Sequence, residues 1–113
     1  MLHAGKAMKV SIYVSEGTTH HHAATYTSIL DFLFRHGVSG ATVMKGIAGF
    51  GAEHHMHTAS ILEISDHLPV KIEFTESPEK VDELMGKLQE LAGTGMIEMH
   101  ETTVVKPASR RDG

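Results

Sequence analysis

The chain carries one plan twice, and that repetition limits its fold more than any other feature. Residues 8–15 alternate, with Met8, Val10, Ile12 and Val14 set against Lys9, Ser11, Tyr13 and Ser15. That is the period of a strand buried on one side. Past the connector Glu16-Gly17-Thr18-Thr19, the residues Ala23, Tyr26, Leu30, Leu33 and Phe34 fall at spacings of three and four, one apolar stripe of a helix. Gly37 stands at the expected C-cap, and Arg35 and His36 suit the negative end of the helix dipole. A second strand is expected over residues 41–47, with Ala41, Val43 and Ile47 on one face.

The plan then repeats. Ile61, Leu62 and Ile64 open a third strand, which resumes with Val70, Ile72 and Phe74. The interruption Ser65-Asp66-His67-Leu68-Pro69 reads as a bulge or kink, because a proline cannot donate to a ladder. Ser77-Pro78-Glu79 is a helix start, a capping serine followed by proline and an acid in the first turn. Val81, Leu84, Met85, Leu88 and Leu91 form its buried stripe, Gly93 ends it, and a last strand is expected over residues 96–105.

Strand-helix-strand taken twice gives an α+β, ferredoxin-like βαββαβ sandwich, a four-stranded antiparallel sheet with two helices on one face. The expected organisation is a disordered leader over 1–7, a single domain over 8–105 and a polar tail over 106–113. The free face of the sheet would present Ser11, Tyr13, Thr42, Met44, Lys71, Glu73 and Thr75. That mixture is neither solvent-like nor core-like, so a homo-oligomer is expected.

Composition removes several functions. A net charge of -4 without a basic stripe argues against nucleic acid as a partner. The absence of cysteine excludes disulfides, thiolate metal sites and cysteine nucleophiles, and it fits a cytoplasmic location. No apolar run approaches the ~18 residues of a membrane span, so direct insertion is not expected. No nucleophile, paired carboxylates or triad spacing stands out, so the chain is not expected to be an enzyme.

What remains unexplained by a core is the segment between the second and third strands. It holds Gly46, Gly49 and Gly51, then Phe50, Glu53, His54, His55 and His57. Polar loops of this kind on a small scaffold are where function usually sits. The glycines fit either turns or a phosphate cradle, and Lys45 fits either the polar side of a strand or a phosphate contact. His54, His55 and His57 fit a solvated loop or, as an alternative function, a divalent-metal site for zinc, nickel or copper. His20, His21 and His22 cannot all reach one ion from a helix, where neighbours point ~100° apart.

Several motifs agree in order and spacing with one family. Gly40-Ala41-Thr42-Val43, Gly46-Ile47-Ala48-Gly49-Phe50-Gly51, His57-Thr58, Ser65-Asp66-His67-Leu68-Pro69 and Pro78-Glu79-Lys80 resemble the PII-like family catalogued as domain of unknown function 190. The similarity runs over about residues 8 to 105. More broadly, Lys45-Gly46, Leu68-Pro69-Val70-Lys71-Ile72-Glu73 and Gly93-Thr94-Gly95 resemble stretches of the nitrogen-regulatory PII proteins. That resemblance implies a homotrimer with a small ligand, an adenine nucleotide, held between subunits by Lys45, Gly46, Gly49, Gly51, Gly93, Thr94 and Gly95. It also implies that the 48–60 loop, with Phe50, Glu53, His54, His55 and His57, signals to a partner such as a membrane transporter or channel.

The chain departs from PII proteins in the last loop, where Met96 replaces a lysine and Glu98, Met99 and His100 follow. Glu98 and Glu101 would repel a triphosphate, so a less charged nucleotide, or none, is expected. The 51–60 loop is also short and lacks the tyrosine that some PII proteins modify.

Overall fold

The computed structural model describes residues 1–17, 19–20, 23–52, 54, 56–58 and 68–110. In chain order they form β1 (Gly5–Ser15), β2 (Thr19–His20), β3 (Ala23–Ala24), α1 (Thr25–Arg35), β4 (Ala41–Lys45), β5 (Ala48–Gly49), β6 (His57–Thr58), β7 (Pro69–Glu76), α2 (Pro78–Ala92) and β8 (Met96–Val104). Four strands make one antiparallel sheet in the order β4-β7-β1-β8, while β2-β3 and β5-β6 are separate two-stranded pairs. Both halves of the repeated plan therefore meet in one sheet, the second strand of each half lying at an edge.

Register fixes the two faces. Ile12 stands opposite Ile72 on one side and Ile97 on the other, and Val10 stands between Phe74 and Met99. Val43 and Ala41 continue these rows across β7. This apolar face packs under the helices, where Val10, Ile12, Val70, Ile72 and Phe74 join Ile29 and Leu33 of α1 and Val81, Leu84, Leu88 and Leu91 of α2. Ile12, Ile72 and Leu88 are fully buried. Each contributes roughly 1.5–3 kcal/mol over leaving it in water.

α2 follows its sequence signals closely. The Ser77 side chain accepts a hydrogen bond from the Lys80 amide at 3.2 Å, Pro78 opens the first turn, and Gly93 leaves it at a φ of 58°. Its buried side is the expected stripe, with Met85 only partly covered.

The other expectations shift in instructive ways. β1 begins at Gly5, inside the stretch read as a leader, because residues 5–7 pair with Val104, Thr103 and Thr102 of β8. α1 starts at Thr25, so Ala23 belongs to β3. Its core face is Thr25, Ile29 and Leu33, while Leu30 is partly exposed and Phe34 is 83% exposed. Leu33 of the expected stripe is buried and Tyr26 packs against the core, while Ile29, about 100° from Leu30, takes the place expected for Leu30. The Gly46 amide still donates to the Pro69 carbonyl at 2.7 Å, but Pro69 has no N–H to return the bond, so β4 ends at Lys45 and Ile47 is exposed. The third-strand residues Ile61, Leu62 and Ile64 lie outside the described residues. Pro69 is the first residue of β7, a position where a proline is tolerated.

One buried carboxylate was not anticipated. Glu76, 3% exposed, accepts the Ser39 amide at 2.7 Å and so ties the α1–β4 connection to the end of β7.

Candidate ligand and partner site

Lys45 closes β4 opposite Val70, which in turn stands opposite Val14. Its side chain runs over the end of β7 toward the residue that follows β1. There the Lys45 ammonium meets Glu16 Oε1 at 2.6 Å, with the glutamate side chain about three-quarters covered. The Glu16 hydrogen bond and charge raise the Lys45 ammonium above its ordinary 10.5. Glu16 is itself anchored, its amide donating to the Leu68 carbonyl at 2.8 Å.

Gly46 and Gly49 face Pro69. A Cβ at Gly46 would lie 2.7 Å from Pro69 Cγ, and one at Gly49 would lie 3.1 Å from it. Close approach to a proline therefore accounts for these two glycines without any ligand. Gly51 has open space around its Cα, and its carbonyl accepts the His54 amide at 2.8 Å.

Gly93, Thr94 and Gly95 form the tight turn between α2 and β8. The Gly95 amide donates to the Ala92 carbonyl at 2.9 Å, and a Cβ on Gly95 would stand 2.5 Å from the Tyr13 carbonyl. Beside this turn lies a cleft of about 360 Å³, lined by Met85, Gln89, Ala92, Gly93, Gly95, Ile97 and Met99. Its walls mix the apolar side chains of Met85, Ile97 and Met99 with nearly as much polar surface. Glu98 and Glu101, expected to repel a triphosphate here, do not line it: Glu98 accepts from the Tyr13 hydroxyl at 3.3 Å, and Glu101 pairs with Lys6 at 3.1 Å.

These two groups do not meet within one chain. Tyr13 pairs with Met96, so Gly95 sits beside Val14, in the same transverse row as Val70 and Lys45. The row crosses the whole sheet, three strand spacings or about 14 Å. Lys45 and Gly95 thus occupy the same end of the sheet on opposite edges.

Between the edges, the 46–58 segment rises on a minimal ladder, Ala48 with Thr58 and Gly49 with His57. It exposes Ile47, Phe50 and Met56. The His54 ring stacks on Phe50 with centroids 5.1 Å apart and planes 7° from parallel, and His54 takes a φ of 61°. Glu53, His55 and the His57 side chain lie outside the described residues. Among the described residues no three His, Asp or Glu side chains are placed to hold a metal.

The free face of the sheet is built around Glu73. Its carboxylate takes Lys71 Nζ at 2.9 Å, Lys9 Nζ at 3.2 Å and a hydrogen bond from Ser11 Oγ at 3.2 Å. The Lys71 hydrogen bond is the main cause holding the Glu73 carboxyl below its ordinary 4.5, with Lys9 adding to it and burial opposing. A carboxyl depressed by folding stabilises the fold above its unfolded value, and this is lost as pH falls through the folded value. Stability should therefore decline below about pH 4.5, and Glu73→Gln should make that decline shallower. Urea midpoints measured down to about pH 3 would show it, and equal slopes would contradict this role for Glu73.

The sequence carries no local signal for four contributors. Glu16 lies in a connector, and only the β1–β7 register brings it to Lys45. Met85 belongs to the α2 stripe, Ile97 and Met99 to the last strand, and only the position of β8 at an edge makes them cleft walls.

The sheet order, two helices on one face and the glycine turn at its edge define an α+β fold of the PII-like class. The match of residues 7–104 to DUF190, described as Uncharacterized ACR, identifies the chain as a member of that family. UPF0166 protein MJ1524 of Methanocaldococcus jannaschii is 35% identical over 102 residues, covering 89% of this chain and 94% of that protein. Among solved structures, CPII from Thiomonas intermedia K12, a nitrogen regulatory PII-like protein bound to ADP, AMP and bicarbonate, aligns over 95% of both chains with 22% identity and a TM-score of 0.68. The divalent ion tolerance protein CutA1 from Ehrlichia chaffeensis aligns over 96% of this chain and 87% of its own, with 14% identity and a TM-score of 0.54. Those two likenesses are of fold. Among the described residues no helix is long and apolar enough to cross a membrane.

Proposed function

We propose that this protein is a non-enzymatic PII-like regulator that works as a homotrimer and binds an adenine nucleotide between subunits. The observation that carries the reading is the shared end of the sheet. Lys45 and the Gly93–Gly95 turn lie on opposite edges in one transverse row, so a ring of copies set edge to edge brings one subunit's lysine to its neighbour's cleft. The cleft's mixed lining, with Met85, Ile97 and Met99 as apolar walls, suits a base, and Lys45 suits a phosphate as a point charge. The mixed free face, centred on Glu73, suits contact with the other copies of the ring. The nucleotides held by CPII, on the same fold, support the choice of ligand.

The output in this reading is the 46–58 segment. Its base touches Pro69 and Lys45, so a ligand at Lys45 biases whichever loop arrangement it binds better. Exposed Ile47, Phe50 and Met56 give the loop apolar anchors for a protein partner, with a membrane transporter or channel as the proposed class.

Native mass spectrometry of untagged protein, purified without chelator and offered ADP, tests this directly. A trimer gaining nucleotide mass is the expected result. A trimer that takes divalent metal and no nucleotide would move the function to the histidine loop, and a monomer under all conditions would overturn the between-subunit site.

A further inference from the structure

We infer that Glu16 is a built-in competitor for the ligand's anionic group, which binds Lys45 by exchange with the Glu16 carboxylate. The inference rests on the nucleotide reading above and adds a regulatory contact to it. Three observations lead to it. The ion pair is close, 2.6 Å, so a phosphate oxygen that approaches the half-exposed ammonium meets the negative charge of the Glu16 carboxylate beside it. The pair is held by the fold, because the Glu16 amide is fixed to the Leu68 carbonyl and Lys45 is the last ladder residue of β4. And the ion pair spans the base of the 46–58 segment, since Leu68 and Pro69 carry both the Glu16 anchor and the Gly46 anchor.

The consequence is an exchange with two readouts. A ligand anion that takes Lys45 frees the Glu16 carboxylate, at the residue where β1 leads toward β2, while the Glu16 amide stays on the Leu68 carbonyl. Ligand binding at one edge is thereby coupled to two segments that leave the same end of the sheet. Coupling of this kind is a difference in affinity between two arrangements. Here the arrangements are Lys45 on Glu16 and Lys45 on ligand.

The test is titration calorimetry with ADP on the full chain and three variants. Glu16→Gln keeps the shape and removes the competing charge, so it should bind ADP about three- to fivefold tighter than wild type, the range set by a part-exposed ion pair. Lys45→Met should bind more weakly. Asp31→Asn removes the same charge from the Asp31–Arg35 pair on α1 and should leave ADP affinity unchanged. Should Glu16→Gln bind no tighter than wild type, exchange is wrong while the nucleotide site stands. Equal tightening by Asp31→Asn would assign the gain to net charge and also overturn exchange. Absence of ADP binding in wild type and Glu16→Gln alike would remove the nucleotide reading and this inference together.

Discussion

Gly95→Ala should destabilise the protein by about 2–3 kcal/mol, the range of a methyl forced into a packed site. The added Cβ would stand 2.5 Å from the Tyr13 carbonyl and 2.8 Å from Val14 Cγ1, with the Ala92 carbonyl at 3.1 Å. Two of those three neighbours are backbone, and Tyr13 lies in β1, which is bonded on both sides. Neither can swing aside, so the turn itself must move. The loss would appear as a urea midpoint lowered by about 1 M or more. The same shift would distort the cleft wall at Gly93–Gly95, so nucleotide binding should fall even at temperatures where the variant is folded. A variant with wild-type stability would mean that the α2–β8 turn is not packed on β1 as described.

Glu73→Lys should dissolve the oligomer. The wild-type carboxylate sits between Lys9 and Lys71, at 3.2 and 2.9 Å. Reversing its charge sets three ammonium groups together on a sheet face, where a like pair at 4 Å repels by about 4 kcal/mol under near-surface screening. The side chains can splay into water in a lone subunit, so the cost there should be only about 1 kcal/mol. They cannot splay if other copies cover the face, and that difference separates assembly from folding. The expected result by light scattering is a folded monomer in place of a trimer. A trimer persisting with unchanged stability would show that this face is not where the copies meet.

The fold was legible in the sequence because its strongest signals are local. Period-two alternation in residues 8–15 and 70–74, and the Ser77-Pro78 start of α2, each follow from backbone geometry within a few residues. α1 was harder. Ile29 competes with its neighbour Leu30 for the core, and only the sheet beneath decides that Ile29 joins Leu33 inside while Leu30 and Phe34 stay outside. The candidate site was legible in its residue types and not in its arrangement. Lys45 and Gly95 are remote in sequence and become related through a transverse row of pairings. Glu16 reaches Lys45 through the same pairings, and nothing in a linear pattern marks that meeting. By sequence Gly46 and Gly49 fit either turns or a phosphate cradle, and their contact with Pro69, invisible in a linear pattern, is a reason for glycine there whether or not a ligand binds.

The position of β1 has a further consequence for how the chain comes into being. Both of its partners, β7 and β8, lie in the second half of the sequence, and its first residue pairs with the last of β8, Gly5 with Val104. During synthesis β1 must therefore wait with open edges until β7, and then β8, have been made. Closing such long-range pairs makes folding slow relative to a helical protein of similar size. Throughout that interval Val10, Ile12 and Val14 lie on a strand that any neighbouring copy could pair with. The alternating polar residues Lys9, Ser11, Tyr13 and Ser15 then serve a second purpose, keeping the nascent strand soluble until its own late partners arrive.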